Sequence, residues 1–220
     1  MLAADAASTL KDVRDGIAAA CTIARREPGS VTLIAVTKGR TVEDIEPLID
    51  AGQRDFGENR VQEAAAKWPV LRARHPELRL HMIGRLQSNK ADEAIELFDD
   101  IHSLDRPSLL AALVRAGGKA GRFPPVHVQV NIGAEEQKGG IGVADLGAFL
   151  REVRASPLPL AGLMCIPPAG HEPGPYFALL AELARRHDVA GLSMGMSEDY
   201  RTAVMMGATE VRVGSALFDA

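Results

Sequence analysis

The chain has 220 residues, 46% hydrophobic and 25% charged, with a formal net charge of −4, which suits one α/β domain with a full core. That charge and an aromatic content of 4% supply neither the basic footprint nor the stacking platforms that nucleic-acid binding needs. No apolar run approaches the ~18 residues that cross a bilayer, and no basic region followed by an apolar core opens the chain, so a soluble, cytoplasmic protein is expected.

The first 26 residues read as an amphipathic helix, because Leu10, Val13, Ile17 and Cys21 recur at spacings of three and four; "REPGS" ends it. Short apolar runs then alternate with helical segments, with no Ser-rich or Gly-rich linker between them. The expected strands are "VTLIAVTK", "RDFGEN", "LRLHMIG", "DIHSLD", "PVHVQVNI", "LAGLMCI", "GLSMGM" and "EVRVGS". A helix starts at or near Thr41 and closes near Gly52, with Pro47 expected to kink it; another, in "DRPSLLAALVRAGG", begins on an aspartate and an early proline and stops at glycines. Eight strands alternating with helices predict a single closed (β/α)8 TIM barrel, with an open doubly wound sheet as the rival. The chain ends almost directly after the eighth strand, so the N-terminal helix is expected to cover the gap left by a missing or short final helix. Cys21 and Cys165 have no metal-ligand spacing and are expected to be two reduced thiols.

In such a barrel the carboxyl ends of the strands carry the chemistry. Lys38 ends the first strand, either as a solvated strand end or as a desolvated nucleophile. Glu58 and Asn59 end the second, Asn131 the fifth, Met196 and Ser197 the seventh, and Gly214 and Ser215 the eighth. The stripe His127, Gln129, Asn131 must find internal partners or face a wet site, and mid-strand Arg212 needs either a structural acceptor or a ligand. Ser197 is expected at a helix start, which with Gly214 and Ser215 on the adjacent strand would form a phosphate cradle. An amine, a cradle and an arginine together suit a phosphorylated aldehyde. Metal chemistry has little support: His81, His102 and His127 lie on expected strands without ligand spacing.

The stretches "AVTKGRTVEDIEPLIDAGQRDFGENRVQEAAAK", "HMIGRLQSNK", "NIGAEEQKGGI", "GLMCIP" and "LSMGMSEDYRTAVMMGATEVRVGSALF" resemble, in order, the motifs of the pyridoxal 5'-phosphate (PLP) homeostasis proteins, the YggS/PROSC family. The resemblance covers nearly the whole chain from residue 30. It implies a fold type III PLP-binding barrel like the N-terminal domain of alanine racemase, with an extra N-terminal helix over residues 1–27. It further implies PLP held as an internal aldimine on Lys38, its phosphate on Ser197, Gly214 and Ser215 beside Met196, Arg212 facing the pyridine nitrogen, and Asn59 near the ring hydroxyl. Lys138 matches a loop lysine considered for secondary cofactor binding. Arg85 replaces a family proline or histidine and alters the rim charge, and the tail after "GSALF" is short of the family's.

Carrier and catalyst share this site. A racemase of the alanine racemase class needs a second base, a tyrosine in the related enzymes, supplied by a further β domain for which this chain has no residues to spare. Tyr176 and Tyr200 fall in expected helices. A lysine-dependent aldolase would place its amine on a middle strand. A monomeric, non-catalytic PLP holder is therefore expected, with PLP-dependent apo-enzymes as the partners implied by the family.

Overall fold

The computed structural model describes residues 3–135 and 137–219. Eight parallel strands close in sequence order: β1 (Thr32–Val36), β2 (Asp55–Glu58), β3 (Arg79–Met82), β4 (Asp100–Leu104), β5 (Val126–Gln129), β6 (Leu160–Met164), β7 (Gly191–Ser193) and β8 (Glu210–Val213). Because β1 pairs with both β2 and β8, the sheet has no free edge and the closed barrel replaces the open-sheet rival. Each strand falls within the run expected for it. β1 ends at Val36, two residues before Lys38, which stands in a turn.

The outer ring comprises α2 (Val42–Asp50), α3 (Val61–Arg74), α4 (Ala91–Leu97), α5 (Pro107–Ala120), α6 (Leu146–Arg154), α7 (Gly174–Arg186), α8 (Tyr200–Met205) and the four-residue α9 (Ser215–Phe218). The ends of α2 hold as expected, whereas α5 has Arg106 and not the aspartate at its N-cap and runs on through Gly117 and Gly118. Thr41 makes a capping box with Asp44, Pro107 opens α5, and Gly121 closes it in the left-handed region. α2 continues through Pro47. The N-terminal helix α1 (Ala3–Ile23) packs against α2, α8 and α9, where a longer final helix would otherwise lie. Its face of Leu10, Val13, Ile17 and Cys21 is buried as expected. It stops before residue 26 because Arg25 takes a positive φ of 55°. Cys21 and Cys165 are both buried and unpaired.

Strand alternation separates two interiors. Leu33, Phe56, Leu80, Ile101, Val128 and Val211 face outward and join the apolar layer beneath the helices. The inward positions are largely polar: His81, His102, His127, Ser193 and Arg212 are all buried inside the barrel. Gly162 of β6 makes this possible. A Cβ there would stand 2.4 Å from His127 Cδ2 and 2.6 Å from the Gly191 carbonyl, so any larger residue displaces the ring or the neighbouring strand. Gly84 acts similarly at the mouth, where a Cβ would come within 2.2 Å of the Asn59 carbonyl oxygen.

Candidate functional site

Lys38 is exposed and not the desolvated amine that one sequence reading allowed. No hydrogen bond or ion pair engages its amine among the described residues. The turn that carries it is nevertheless fixed from below by α3. Lys67, buried, donates from Nζ to the carbonyls of Thr37 (2.7 Å) and Arg40 (3.0 Å), and lies 2.8 Å from Glu58 Oε1 and 3.1 Å from Glu63 Oε1. Glu58 Oε1 also accepts from Thr37 Oγ1 at 2.5 Å and Trp68 Nε1 at 3.0 Å. Glu63 accepts the Gly39 N–H. Burial alone would raise the Glu63 pKa, but this bond and Lys67 outweigh it and lower it. On the outer side, Arg40 pairs with Asp219 and lies 4.8 Å over the Phe218 ring, tying the same turn to the C-terminal end of the barrel. The lysine is thus an exposed, unengaged arm on a turn braced by hydrogen bonds.

Two cavities adjoin this arm and share Val36, Lys38, Met196 and Arg212 in their walls. The first, about 380 Å³, is completed by Ser197, Gly214 and Ser215 among others; the second, about 440 Å³, by Asn59, Ile83, Arg85, Gln129, Asn131 and Lys138 among others. All seven residues named from the sequence therefore line this mouth, with Asn59 on the opposite side from Ser197. Ser197 does not stand at a helix start as expected. Asp199 folds its carboxylate back onto the Met196 N–H (2.6 Å), forming a turn before α8, and the Ser197 hydroxyl reaches across to β8 instead. There it accepts the N–H groups of Gly214 (3.2 Å) and Ala216 (3.4 Å). Gly195, with φ 93° and a would-be Cβ 2.5 Å from Ala203 Cβ, is what permits this path. At Gly214 a Cβ would meet Val36 at 3.4 Å, so the absent side chain leaves that cavity wall open.

The donor set fits a phosphorylated aldehyde: an unengaged amine, backbone N–H groups already turned toward an oxygen, and a buried guanidinium. Arg212 donates from one edge to Ser193 Oγ (2.6 Å) and to the Cys165 carbonyl (2.9 Å), while lining both cavities. Burial, opposed by Cys165, Glu210 and Asp199, lowers its pKa. The β5 stripe divides. His127 bonds Asp100 from Nδ1 within the barrel, Gln129 donates to the Gly139 carbonyl at 3.3 Å, and Asn131 clamps its own loop by bonding both the carbonyl and the N–H of Glu135. Lys138 is held by Glu135 at 2.6 Å and donates to the Pro167 carbonyl. Neither tyrosine lines the two cavities: Tyr200 is buried beneath α1, with its hydroxyl against Gly16, and Tyr176, within α7, packs against the outer apolar layer.

Below the mouth lies a cluster that sequence spacing did not link. His81 Nδ1 is 3.2 Å from His102 Nε2, and the His102 and His127 rings stack at 4.1 Å. His127 lies between Asp100 Oδ1 (3.1 Å) and Glu210 Oε2 (2.9 Å), the latter out of line for a hydrogen bond and so an ion pair. Burial disfavours the His127 charge, but the two carboxylates outweigh it and raise its pKa to about 9. Burial, reinforced by His127, His81 and Arg212, holds His102 neutral, far below its usual value. The signs predict a stability maximum near pH 6.5. Above it the folded state loses the benefit of charged His127, about 3 kcal/mol by pH 9; below it the unfolded chain gains a proton that buried His102 refuses. Denaturant unfolding at pH 5.5, 6.5 and 9 measures both limbs, and the alkaline limb should vanish in His127→Gln.

No described helix is long and apolar enough to cross a membrane. Residues 14–220 match the family model for the alanine racemase N-terminal domain. The pyridoxal phosphate homeostasis protein of Escherichia coli K12 is 39% identical over 98% of this chain and 97% of its own length. Among solved structures, PipY of Synechococcus elongatus with PLP bound is 40% identical, with a TM-score of 0.84 over 97% of this chain and 99% of that one. An unknown protein from Bifidobacterium adolescentis aligns at a TM-score of 0.93 and 34% identity, covering 98% and 95%. The eight-stranded barrel with its lysine-bearing first turn belongs, on this evidence, to the alanine racemase N-terminal domain family, and within it to the pyridoxal phosphate homeostasis proteins.

Proposed function

We propose that this protein binds PLP reversibly at the barrel mouth and serves the homeostasis of that cofactor in the cytoplasm, without turning over a substrate. The observation that carries the reading is the sharing of one cavity by the unengaged Lys38 amine, the Ser197–Gly214 turn and Arg212. PipY, a relative at 40% identity, has been solved with PLP bound, and the Escherichia coli relative is named for PLP homeostasis.

Bound PLP would supply a reactive carbonyl carbon, and Lys38 would hold it through its amine. The residues around it divide the remaining work. Ser197, Gly214 and Ser215 would hold the phosphate, with the Gly214 N–H turning from the Ser197 hydroxyl to a phosphate oxygen. Arg212 faces the ring nitrogen with a donor-only group and so disfavours its protonation, which weakens the ring as an electron sink. Met196, in the wall of both cavities, would border the ring, and Asn59 would complete the wall of the adjoining one.

The racemase alternative needs a second base opposite Lys38. The absence of a tyrosine from either cavity among the described residues supports a holder over an enzyme. PLP-dependent apo-enzymes are the partners that such a holder would supply, and it would act as a monomer. Loading purified protein with PLP and following deuterium exchange at the α-carbon of alanine tests the reading. Exchange no faster than with free PLP, together with transfer of PLP to an added apo-enzyme, is expected; exchange well above the free-PLP rate would restore the racemase alternative.

A further inference from the structure

We propose that Ser193 and His102 are positioning residues for Arg212, joined through His81 to Asp55 in one directed chain of hydrogen bonds from the mouth to the floor of the barrel. The proposal rests on the reading above that Arg212 meets the PLP ring.

The direction follows from the chemistry of the two ends. A guanidinium only donates, so Ser193 Oγ, 2.6 Å from Arg212 Nη1, must accept. The serine proton is then free for His102 Nδ1, 2.8 Å away, which accepts it when bare. The His102 proton therefore sits on Nε2, 3.2 Å from His81 Nδ1, which accepts it. The remaining His81 proton sits on Nε2, 2.9 Å from Asp55 Oδ1, a carboxylate that only accepts. The Asp55 end fixes this polarity for neutral imidazoles, and the Arg212 end matches it by leaving the serine proton an acceptor. The chain holds the anchored edge of Arg212 in place without a carboxylate contact that would neutralise its charge.

A single proton reverses it. A second proton on His81, at Nδ1, makes His102 Nε2 the acceptor and moves the His102 proton to Nδ1. Ser193 then receives two donors and loses the acceptor for its own proton. The hold on Arg212 is thereby coupled to protonation more than one strand away. The charged and titratable groups that face His102 are Asp100 (Oδ1 3.5 Å from Nε2) on its own strand, His81 on β3, stacked His127 on β5, and Glu210 (Oε2 3.8 Å from Nδ1) with Arg212 on β8. β6 and β1 offer only Gly162 and Ile34 at this level. Arg79 Nε lies 3.8 Å from Asp55 at the floor. A metal shared by His102, His127 and Glu210 would need both imidazoles to aim at one point, whereas their rings stack at an interplanar angle of 24° and His102 Nδ1 already faces Ser193.

The test has two arms on the full chain. In the PLP-free, 15N-labelled protein at pH 7.5, long-range 1H–15N correlation spectra should show His102 and His81 as Nε2–H tautomers with bare Nδ1; a proton on His102 Nδ1 overturns the proposal. PLP titration should show Ser193→Ala weakened about tenfold, the effect of one lost hydrogen bond to a charged group, and Ser193→Thr within about twofold of the parent protein. Wild-type affinity in Ser193→Ala overturns the positioning role. Failure of the parent protein to bind PLP at all would refute the proposed function and leave the tautomer arm to decide the chain.

Discussion

Lys38→Ala will lose the visible absorbance band of PLP-loaded protein and about a hundredfold or more in PLP affinity, roughly 3 kcal/mol, while unfolding within about 0.5 kcal/mol of the parent. The two halves of that expectation have one structural origin. Lys38 is exposed and unengaged among the described residues, so its removal leaves no buried group unsatisfied. What would disappear is the proposed covalent anchor, which would leave the Ser197–Gly214–Ser215 turn and Arg212 to hold the ligand unaided. Absorbance spectra with PLP titration read the first effect, and denaturant melts read the second. A Lys38→Ala protein that still fixes PLP on borohydride treatment would move the anchor to another amine, with Lys138 in the adjoining cavity the first to be examined.

Lys67→Met should show the reverse pattern, a loss of about 3–5 kcal/mol in stability. Glu58 is fully buried, and its Oε1 is 2.8 Å from Lys67 Nζ, while Oε2 has no hydrogen-bond partner among the described residues. Removing the amine leaves an uncompensated carboxylate in the protein interior and frees the carbonyls of Thr37 and Arg40. The Lys38 turn then loses its floor, so PLP affinity should fall as well. The double variant Lys67→Met/Glu58→Gln should recover part of the stability, because no charge remains unpaired. Equal stability of Lys67→Met and the parent would show that the buried pair contributes nothing net to the turn.

These two lysines also mark the limit of what the chain disclosed before its fold was known. Lys38 was visible because it directly follows an apolar strand, and Arg212, Gly214 and Ser215 because the eighth run ends in them; strand ends in a parallel barrel converge on one face whatever the helices do. Lys67 sits in "AAAKWPV", where a helical lysine reads as solvated. Only the approach of α3 to the first turn turns it inward. Ser197 was found for a partly mistaken reason. It was expected to start a helix, but Asp199 takes over the local turn, and the serine hydroxyl serves the neighbouring strand.

The histidine floor illustrates a different difficulty. His81, His102 and His127 were each legible as polar residues on strands, but His102 and Ser193 are 91 residues apart in sequence and 2.8 Å apart in space. Which inward residues share a level depends on the stagger between strands, and the register shifts between β4 and β5 and between β5 and β6. Gly162 hinted at it, since a glycine in a strand marks a close approach, yet the partner it admits could not be named from the sequence.

Borohydride reduction of PLP-loaded wild-type protein, followed by peptide mass mapping, tests the central claim most directly. A single pyridoxyl adduct is expected, on the peptide containing Lys38. An adduct confined to another lysine, or none at saturating PLP, would contradict it.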